Sequence, residues 1–431
     1  MSTQVIVIPP KYTTGFAPLA VLGYCLTRAE FLKPLRDVDL DIKTYQHEPH
    51  EKMQDVLVSV LANCSSVKQI DLRIRPDTVL AEAWGREQFA DQSTLADTLN
   101  AFTEASVMQL RQAFNVIYQR EGQACHHNFD ADLLAIDIDL TGLRASARAE
   151  GSTKGYFSGR RNAHGRQVVR ASAPHYRETL YSKLHVGSQH GGTVLKSTVL
   201  AVQALLHWTP TQCRRVLIRT DAGLGTDSNI NWALTHNFQV LMKGYNGKRA
   251  LAFAKQIKSA DWYPLRDNRW VALVPHAPRY ARRTQTLLFR WVTETGEIKH
   301  ATLVHSLLDR DWHSIPDLFD GRGAVEIEIK MDKCGLLLPK RRKHQFAAQE
   351  ALLLLTDLAH NLLAWLHPWM LTDSRFENVG PVTLVNDVLC MPGEFVLKGG
   401  KLRMVALWET HPYAPEMQVC LSKLLEHFGN P

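Results

Sequence analysis

The chain lacks the cysteine patterns that mark disulfide-stabilised or zinc-binding proteins. Its seven cysteines are odd in number and scattered along 431 residues, without a C-x-x-C pair. We therefore expect reduced thiols, as in a cytosolic protein. Residue types that bind zinc are adjacent at Cys125-His126-His127, but neighbouring residues do not easily converge on one ion and no second ligand pair follows, so a zinc site is not predicted.

Long uninterrupted apolar segments are also absent. The apolar residues 5–8 meet Pro9 and Pro10, so no signal peptide is predicted. The most apolar stretch, residues 351–366, is interrupted by polar residues, which predicts a core helix and no membrane span. The glycine-rich stretch 151–167 lacks the Gly-Lys-Ser/Thr ending of a P-loop, which excludes a nucleotide hydrolase of that class. We expect a cytoplasmic protein with no membrane partner.

The composition is that of a globular protein with a mild excess of positive charge. Hydrophobic residues make up 45% of the chain, enough to form the cores of two or three domains. Lysine and arginine number 50, against 43 aspartates and glutamates, which gives a net charge of +7. This balance favours a polyanionic partner, although many soluble proteins are mildly basic.

Four residues of unlike chemistry recur at helical spacing: Phe319, Arg322, Glu326 and Lys333. At 100° per residue they fall within an arc of roughly 60°, so one helix through this segment would direct all four the same way. A core-facing stripe would be apolar, whereas a site for a metal-bridged phosphate needs a carboxylate and cations together. An exposed Arg/Glu pair with a distant Lys explains the same residues without a site.

Two further acids share one face of a predicted strand. Within residues 133–142, Asp137 and Asp139 alternate with Ile136 and Ile138. Two acids on one strand face are costly to bury unless a cation lies against them. The alternative interpretation is an edge strand with a solvated face.

A third acid, Asp221, follows a short apolar strand predicted at residues 216–218 and precedes a turn with Gly223 and Gly225. An acid at the carboxyl end of a buried strand, followed by a permissive turn and a helix, is a usual place for a functional group in an α/β sheet. A turn or helix-capping aspartate is the alternative interpretation.

These patterns resemble a known family. The spacing F-x2-R-x3-E-x6-K resembles the Tyr-Arg-Glu-Lys signature of bacterial insertion-sequence DDE transposases, with Phe319 where that family usually has Tyr. The change keeps a ring that can stack and removes a hydroxyl. Asp139-Leu140-Thr141 matches the family's Asp-x-Thr/Ser setting for the first aspartate, which leaves Asp137 in reserve. Arg219-x-Asp221-x-Gly223 matches its second-aspartate motif.

The resemblance implies a transposase that cuts the ends of its insertion sequence and joins them to target DNA by two-metal phosphoryl transfer. The catalytic and metal-binding residues would be the three acids Asp139, Asp221 and Glu326, which would bind two Mg²⁺ ions, with Mn²⁺ as a substitute. DNA contacts would be made by Phe319, Arg322 and Lys333. The partner would be double-stranded DNA, both terminal inverted repeats and target, bound by a homodimer at the bacterial nucleoid. The sequence does not decide whether hairpin intermediates form.

A basic run follows the quartet directly, formed by Lys340, Arg341, Arg342 and Lys343. Such a run is usually a solvated surface, but its position also suits contacts with backbone phosphates.

The expected fold class is α/β, a ribonuclease-H-like catalytic core with a β-rich insertion, preceded by a mainly helical N-terminal domain. The predicted boundaries are 1–128 for a helical DNA-binding region, 129–246 for the first part of the core, 247–316 for the β-strand insertion, 317–370 for the second part of the core with the Glu326 helix, and 371–431 for C-terminal strands and a helix. Strands are expected in "VTLVNDVLC" and "LRMVALW". In this family an insertion tryptophan can hold a flipped base, but the sequence does not select among Trp262, Trp270, Trp291 and Trp312.

Two other functions share much of this pattern. A metal-dependent nuclease of the same fold would use the same acids and hydrolyse DNA without strand transfer. A transposase-derived DNA-binding protein would retain the fold without catalysis.

Overall fold

The structure is a computed structural model that describes residues 11–42, 46–157, 159–322 and 331–429. Its labelled helices are α1 Ala17–Arg28, α2 Pro49–Leu61, α3 Lys68–Arg73, α4 Thr78–Ala83, α5 Gln92–Asn100, α6 Glu104–Glu121, α7 Gly191–Leu206, α8 Pro210–Cys213, α9 Asp227–Thr235, α10 Gly247–Ala254, α11 Ile315–Asp320, α12 Phe346–Leu366 and α13 Ala414–His427. Its strands are β1 Thr13–Thr14, β2 Leu134–Arg144, β3 Thr153–Phe157, β4 Arg160–Ala173, β5 Glu178–Val186, β6 Val216–Thr220, β7 Gln239–Lys243, β8 Tyr263–Pro264, β9 Arg269–Leu273, β10 Gln285–Val292, β11 Ile298–His305, β12 Gly393–Lys398 and β13 Lys401–Leu407.

By packing, the chain divides into two compact units, residues 122–329 and residues 1–121 together with 330–431. The first unit is built on one large sheet with the strand order β3-β4-β2-β6-β7-β11-β10-β9-β8, and β5 pairs with β4. Strands β2, β6 and β7 are mutually parallel, whereas β4 is antiparallel to both β2 and β5. This mixed α/β arrangement is consistent with the ribonuclease-H-like core expected from the sequence.

Strand β2 lies in the middle of the sheet, between β4 and β6. The predicted alternation holds, because Ile136 and Ile138 are buried on one face. Asp137, on the other face, is also fully buried. The alternative of an edge strand with a solvated face is therefore wrong, and the cost of burying this acid has to be met by a partner.

The strands predicted between residues 247 and 316 are present, with a turn at Gly296 (φ +79°) between β10 and β11. They do not form a compact unit of their own. Strand β11 pairs antiparallel with β7, with Leu303 opposite Lys243, so these strands continue the core sheet. The predicted insertion therefore has the expected strands but a different boundary, because main-chain pairing joins it to the core.

The second unit is mainly helical. Helix α12 packs against α2, α5 and α6, and its residues from Ala348 to Leu366 are buried. The division predicted at residues 128 and 370 is thus not the one that packing gives, because the C-terminal part of the chain supplies the core helix of the N-terminal part. No helix in the described part of the chain is long and apolar enough to cross a bilayer.

One predicted strand is wrong. The segment "VTLVNDVLC" is helical, over Pro381–Thr383 and Leu384–Val388. Its buried residues Leu384, Val385, Val388 and Leu389 are spaced as on one helix face, and this period outweighs the β-branched composition. The strand expected in "LRMVALW" is confirmed as β13, and the last helix as α13.

Gly225 allows a test of how the loop after β6 packs on the end of β7. A Cβ at Gly225 would lie 1.9 Å from the carbonyl oxygen of Lys243, whereas a Cβ at Gly247 would meet nothing within 4 Å. Gly225→Ala should lower the free energy of unfolding by about 1–3 kcal/mol, because backbone must move to admit the methyl group. Urea unfolding measures the effect. Gly247→Ala, in the first turn of α10, is the matched control and should leave stability unchanged or slightly raised; equal behaviour of the two variants would contradict this packing.

Candidate active site

The acids selected from the sequence lie at the centre of the sheet, on β2 and at the end of β6. The two strands are parallel, with Asp137 opposite Arg219 and Ile138 opposite Thr220. The same register continued by one residue sets Asp139 beside Asp221. Adjacent strands are about 4.8 Å apart, so the backbone positions of these two acids would be neighbours at this end of the ladder.

Asp221 begins the loop that leads from β6 to α9. Its carboxylate accepts a hydrogen bond from the backbone N–H of Gly223 at 2.9 Å, and its carbonyl accepts one from Gly225 at 3.1 Å. The loop thus folds back over the end of the strand and fixes the acid there. Helix α9 is capped by the Thr226 hydroxyl, and Asp227, expected to help start this helix, is its first residue.

Asp137 and Arg219 form a buried ion pair directly before the two acids. The guanidinium Nε and Nη2 donate to the two carboxylate oxygens at 2.5 and 2.7 Å, and Nη1 donates to the carbonyl of Leu318 at 2.8 Å. Burial raises the pKa of Asp137 to about 6, while the hydrogen bonds and charge of Arg219 act in the opposite direction. The carboxylate is therefore charged at neutral pH and engaged by Arg219, which favours Asp139 over Asp137 as the first acid.

Asp139 is surrounded by cations. Arg322 Nη2 lies 3.4 Å from its Oδ1, and the two side chains are 7% and 18% exposed. On the other side, Arg170 of β4 lies opposite Asp139 in the ladder and is buried. Sequence reasoning missed Arg170, although an arginine inside the apolar strand "RQVVRASA" is a signal that it pairs with a buried acid.

The quartet does not lie on one helix in the described part of the chain. Helix α11 ends at Asp320, and Arg322 occupies the turn that follows. Glycines at 321 and 323 flank Arg322, and glycine is a poor helix former, which explains the end. Glu326 lies outside the described residues. Lys333 lies among residues 331–334, which are helical, and its chain segment belongs to the second unit.

Lys333 follows a residue that sequence reasoning overlooked. Asp332 is buried, and its carboxylate oxygen lies 2.7 Å from Nδ1 of His360 in α12. This contact anchors the segment that carries Lys333 to the core helix of the second unit. The signal in the sequence was a histidine, His360, inside the apolar helix α12. Buried polar groups in native proteins almost always have a partner, so this histidine indicates one.

The basic run is not uniformly available to a ligand. Lys340 and Arg342 are exposed, and Lys343 is half-buried. Arg341 is buried, and its guanidinium donates to the backbone carbonyls of Cys64 and Leu336. Burial lowers its pKa to about 10. The prediction that Arg341 contacts DNA is therefore not supported, because its guanidinium donors are hydrogen-bonded to buried backbone carbonyls.

The donor chemistry at Asp139 and Asp221 suits a hard divalent cation, since Mg²⁺ prefers carboxylate oxygens. Two adjacent carboxylates, each partly exposed, supply such oxygens. Within the described residues no group of three or more metal-ligating side chains is assembled. The third predicted ligand, Glu326, lies outside them. The residues present therefore fit part of a metal site.

A pocket of about 180 Å³ adjoins α11 in the same unit. It is lined by Lys243, Arg269, Phe289, Trp291, Ala301, Leu303, Phe319 and Asp320. Of the four tryptophans singled out from the sequence, Trp291 lines this pocket with Phe319. Both Trp262 and Trp270 lie against the Arg290 guanidinium, at 4.5 and 4.7 Å, and Trp312 stacks on His313.

The class of protein follows from comparison with a family model. The model described as Transposase DDE domain group 1 matches residues 27–428, nearly the whole chain. The chain therefore belongs to this family of DDE transposases. No curated protein sequence matches it.

Two solved structures show a distant likeness. One is the piggyBac transposase synaptic complex with hairpin DNA, at 10% identity, with 86% of this chain and 79% of that chain covered and a TM-score of 0.48. The other is a pre-cleavage Mos1 transpososome, at 13% identity, with 47% and 62% covered and a TM-score of 0.18. At these scores neither likeness supports a conclusion about this chain, and the assignment depends on the family model.

The basic run yields a prediction about stability. Arg341→Ala should lower the free energy of unfolding by about 2–4 kcal/mol, because it leaves the carbonyls of Cys64 and Leu336 buried without donors. Arg342→Ala removes an exposed neighbour and should change stability by less than about 0.5 kcal/mol. Urea unfolding of both variants gives the comparison. A neutral effect of Arg341→Ala would mean that residue 341 is exposed in solution.

Proposed function

We propose that the protein is an active transposase that cuts both ends of its DNA element and joins them to target DNA, with Asp139, Asp221 and Glu326 as its catalytic acids. The observation that carries the proposal is the register of β2 and β6, which sets Asp139 beside Asp221 in a chain of the DDE transposase family. Glu326 completes the triad by its place in the family's signature.

The three acids would hold two divalent cations, with Mg²⁺ as the natural ion and Mn²⁺ as a substitute. When bound, such ions lower the pKa of an attacking water or 3′ hydroxyl and stabilise the leaving oxygen. Asp139 would be a fixed oxygen ligand because its backbone is paired with β4, and Asp221 because its loop bonds hold it at the end of β6. The loop from Asp221 to Gly225 keeps the second acid in place without closing the site above it.

Cationic side chains would hold the DNA backbone around the acids. Arg322 lies 3.4 Å from Asp139, so a phosphate that reaches the acids also reaches this guanidinium. Lys333 and the exposed Lys340 and Arg342 would bind further phosphates, as would the half-buried Lys343. Arg341 is not included because it is buried.

The pocket between Trp291 and Phe319 would receive an unstacked base at the DNA end. Its volume of about 180 Å³ suits one base, and Lys243 in its lining would supply positive charge for the adjoining phosphate, whereas Arg269 is paired with Asp320. A tyrosine hydroxyl, usual in the signature, is missing here, so Phe319 would act through its ring alone.

Two ends must be cut together, so the working form would be a homodimer on terminal inverted repeats. The helical region before residue 121 would add DNA contacts. The element would be a bacterial insertion sequence and the protein nucleoid-associated. A hydrolytic nuclease or an inactive DNA-binding relative would share this surface, and an assay for joined products separates them from a transposase.

The acids give a direct test. Asp139→Asn, Asp221→Asn and Glu326→Gln should each reduce Mg²⁺-dependent cleavage of an element-end duplex by at least about 10³-fold, because each removes a ligand from a metal cluster that supplies much of the rate. Binding of the duplex should stay within about threefold. Asp309→Asn, at an exposed carboxylate in the same unit, is the control and should cleave normally. Normal cutting by one of the three variants would remove that residue from the site.

The base pocket gives a second test. Trp291→Ala should weaken binding of an element-end duplex by about 5- to 100-fold, because stacking of one base on an aromatic ring is worth about 1–3 kcal/mol. A 2-aminopurine at the flipped position should also lose its rise in fluorescence on binding. Val292→Ala alters the next, exposed residue of β10 and serves as the control. If Trp291→Ala retains both the affinity and the fluorescence change, the pocket does not hold a base.

A further inference from the structure

The rung of the sheet next to the proposed catalytic acids is occupied by a buried ion pair to which the mechanism assigns no role. Asp137 and Arg219 precede Asp139 and Asp221 by two residues on the same strands, and their side chains are 0% and 6% exposed. A buried ion pair is often no more stabilising than apolar residues of similar size. Its presence here therefore calls for a reason beyond stability.

The geometry of Arg219 supplies one. Two of its nitrogens hold the carboxylate of Asp137, and the third, Nη1, donates to the carbonyl of Leu318 at 2.8 Å. Leu318 lies in the last turn of α11, where carbonyls have no partner within the helix. One guanidinium thus ties the end of α11 to the strand of the first acid. A lysine has no planar fork with which to reproduce these three bonds.

Helix α11 leads directly to Arg322. The backbone N–H of Arg322 donates to the carbonyl of Phe319 at 2.9 Å, so the position of α11 determines where this arginine begins. The Arg322 side chain reaches back to Asp139. Arg219 and Arg322 therefore both connect β2 with α11 and the turn after it. Arg219 does so through Asp137, and Arg322 through Asp139.

We propose that Arg219 is a positioning residue that fixes the end of α11 on β2 and thereby aligns Arg322 with Asp139. It touches neither DNA nor metal. The inference rests on the proposed function in that it takes Asp139, Asp221 and Glu326 to be the catalytic acids. Its structural part, the tethering of α11 by Arg219, is independent of catalysis.

The test compares Arg219→Lys with Asp137→Asn in the full-length protein. Arg219→Lys keeps a positive charge next to Asp137 and loses the bond to Leu318. Hydrogen exchange of backbone amides in residues 315–322 should be accelerated at least about tenfold, and single-turnover cleavage at saturating Mg²⁺ and DNA should fall about 10- to 100-fold. Binding of the DNA end should stay within about twofold, because no DNA contact is removed.

Asp137→Asn distinguishes the effect of the Arg219–Leu318 hydrogen bond from that of the Asp137–Arg219 ion pair. It removes the charge of the acid but leaves Arg219 able to donate to Leu318, so exchange in residues 315–322 should remain within about threefold of the wild type even where global stability falls. Arg249→Lys is the matched control, since Arg249 forms a two-bond pair with Asp227 in the same unit, and it should alter neither readout.

Wild-type exchange and cleavage in Arg219→Lys would overturn the inference. So would an at least tenfold acceleration of exchange in residues 315–322 of Asp137→Asn, which would assign the effect to the ion pair alone. The second outcome decides the matter even if Arg219→Lys does not fold. Failure of the proposed function would look different: wild-type protein would then not cleave, while the exchange measurements would still report on Arg219.

Discussion

The parallel register of β2 and β6 is the constraint on which the rest of the candidate site depends. It sets Asp137 opposite Arg219 and, one alternation later, Asp139 beside Asp221. A slip of one residue would turn these side chains to the opposite face and bring Ile136 and Ile138 out of the core. The burial of the isoleucines therefore fixes the position of the acids, so that packing on one face of β2 determines chemistry on the other.

Charge balance explains how such a site exists before any ligand binds. Asp137 and Asp139 lie on one face of β2 and Asp221 follows the neighbouring strand β6, and like charges on adjacent positions repel. Three arginines meet them: Arg219 by a paired contact, Arg322 at 3.4 Å and Arg170 by its place in the ladder. The described part of the site is thus close to neutral, and the cost of burying its acids is offset within one sheet.

Much of the fold was predictable because the signals were local. The strand of the two aspartates and the helix before β6 follow from hydrophobic period, and the acid after β6 follows from the glycine turn. The prediction of a strand at residues 382–390 was wrong because the β-branched composition was given more weight than the helical spacing of the hydrophobic residues. The pairing of β11 with β7, and the packing of α12 among the N-terminal helices, could not be predicted for a different reason: they are contacts between distant parts of the chain that no local pattern reports.

The four residues Phe319, Arg322, Glu326 and Lys333 show the same difference between local signals and long-range contacts. Helical spacing identified Arg322, which lies 3.4 Å from Asp139, but it presupposed that one helix continues from Phe319 through Gly321. Arg322 instead approaches Asp139 from a turn beyond α11, while Lys333 belongs to the segment that returns to the other unit.

Arginine carries the most instructive error in the interpretation of the sequence. Arg341 was predicted to contact phosphates, yet it is buried and donates to the backbone carbonyl of Cys64, just as buried Arg166 and Arg219 donate to the carbonyls of Glu150 and Leu318. Guanidinium suits this task because its planar donors satisfy several fixed acceptors at once, and it stays charged where lysine would lose its proton. The positive charge available to a polyanionic ligand is therefore smaller than the count of basic residues implies, and exposed members such as Arg342 and Lys340 contribute most to it.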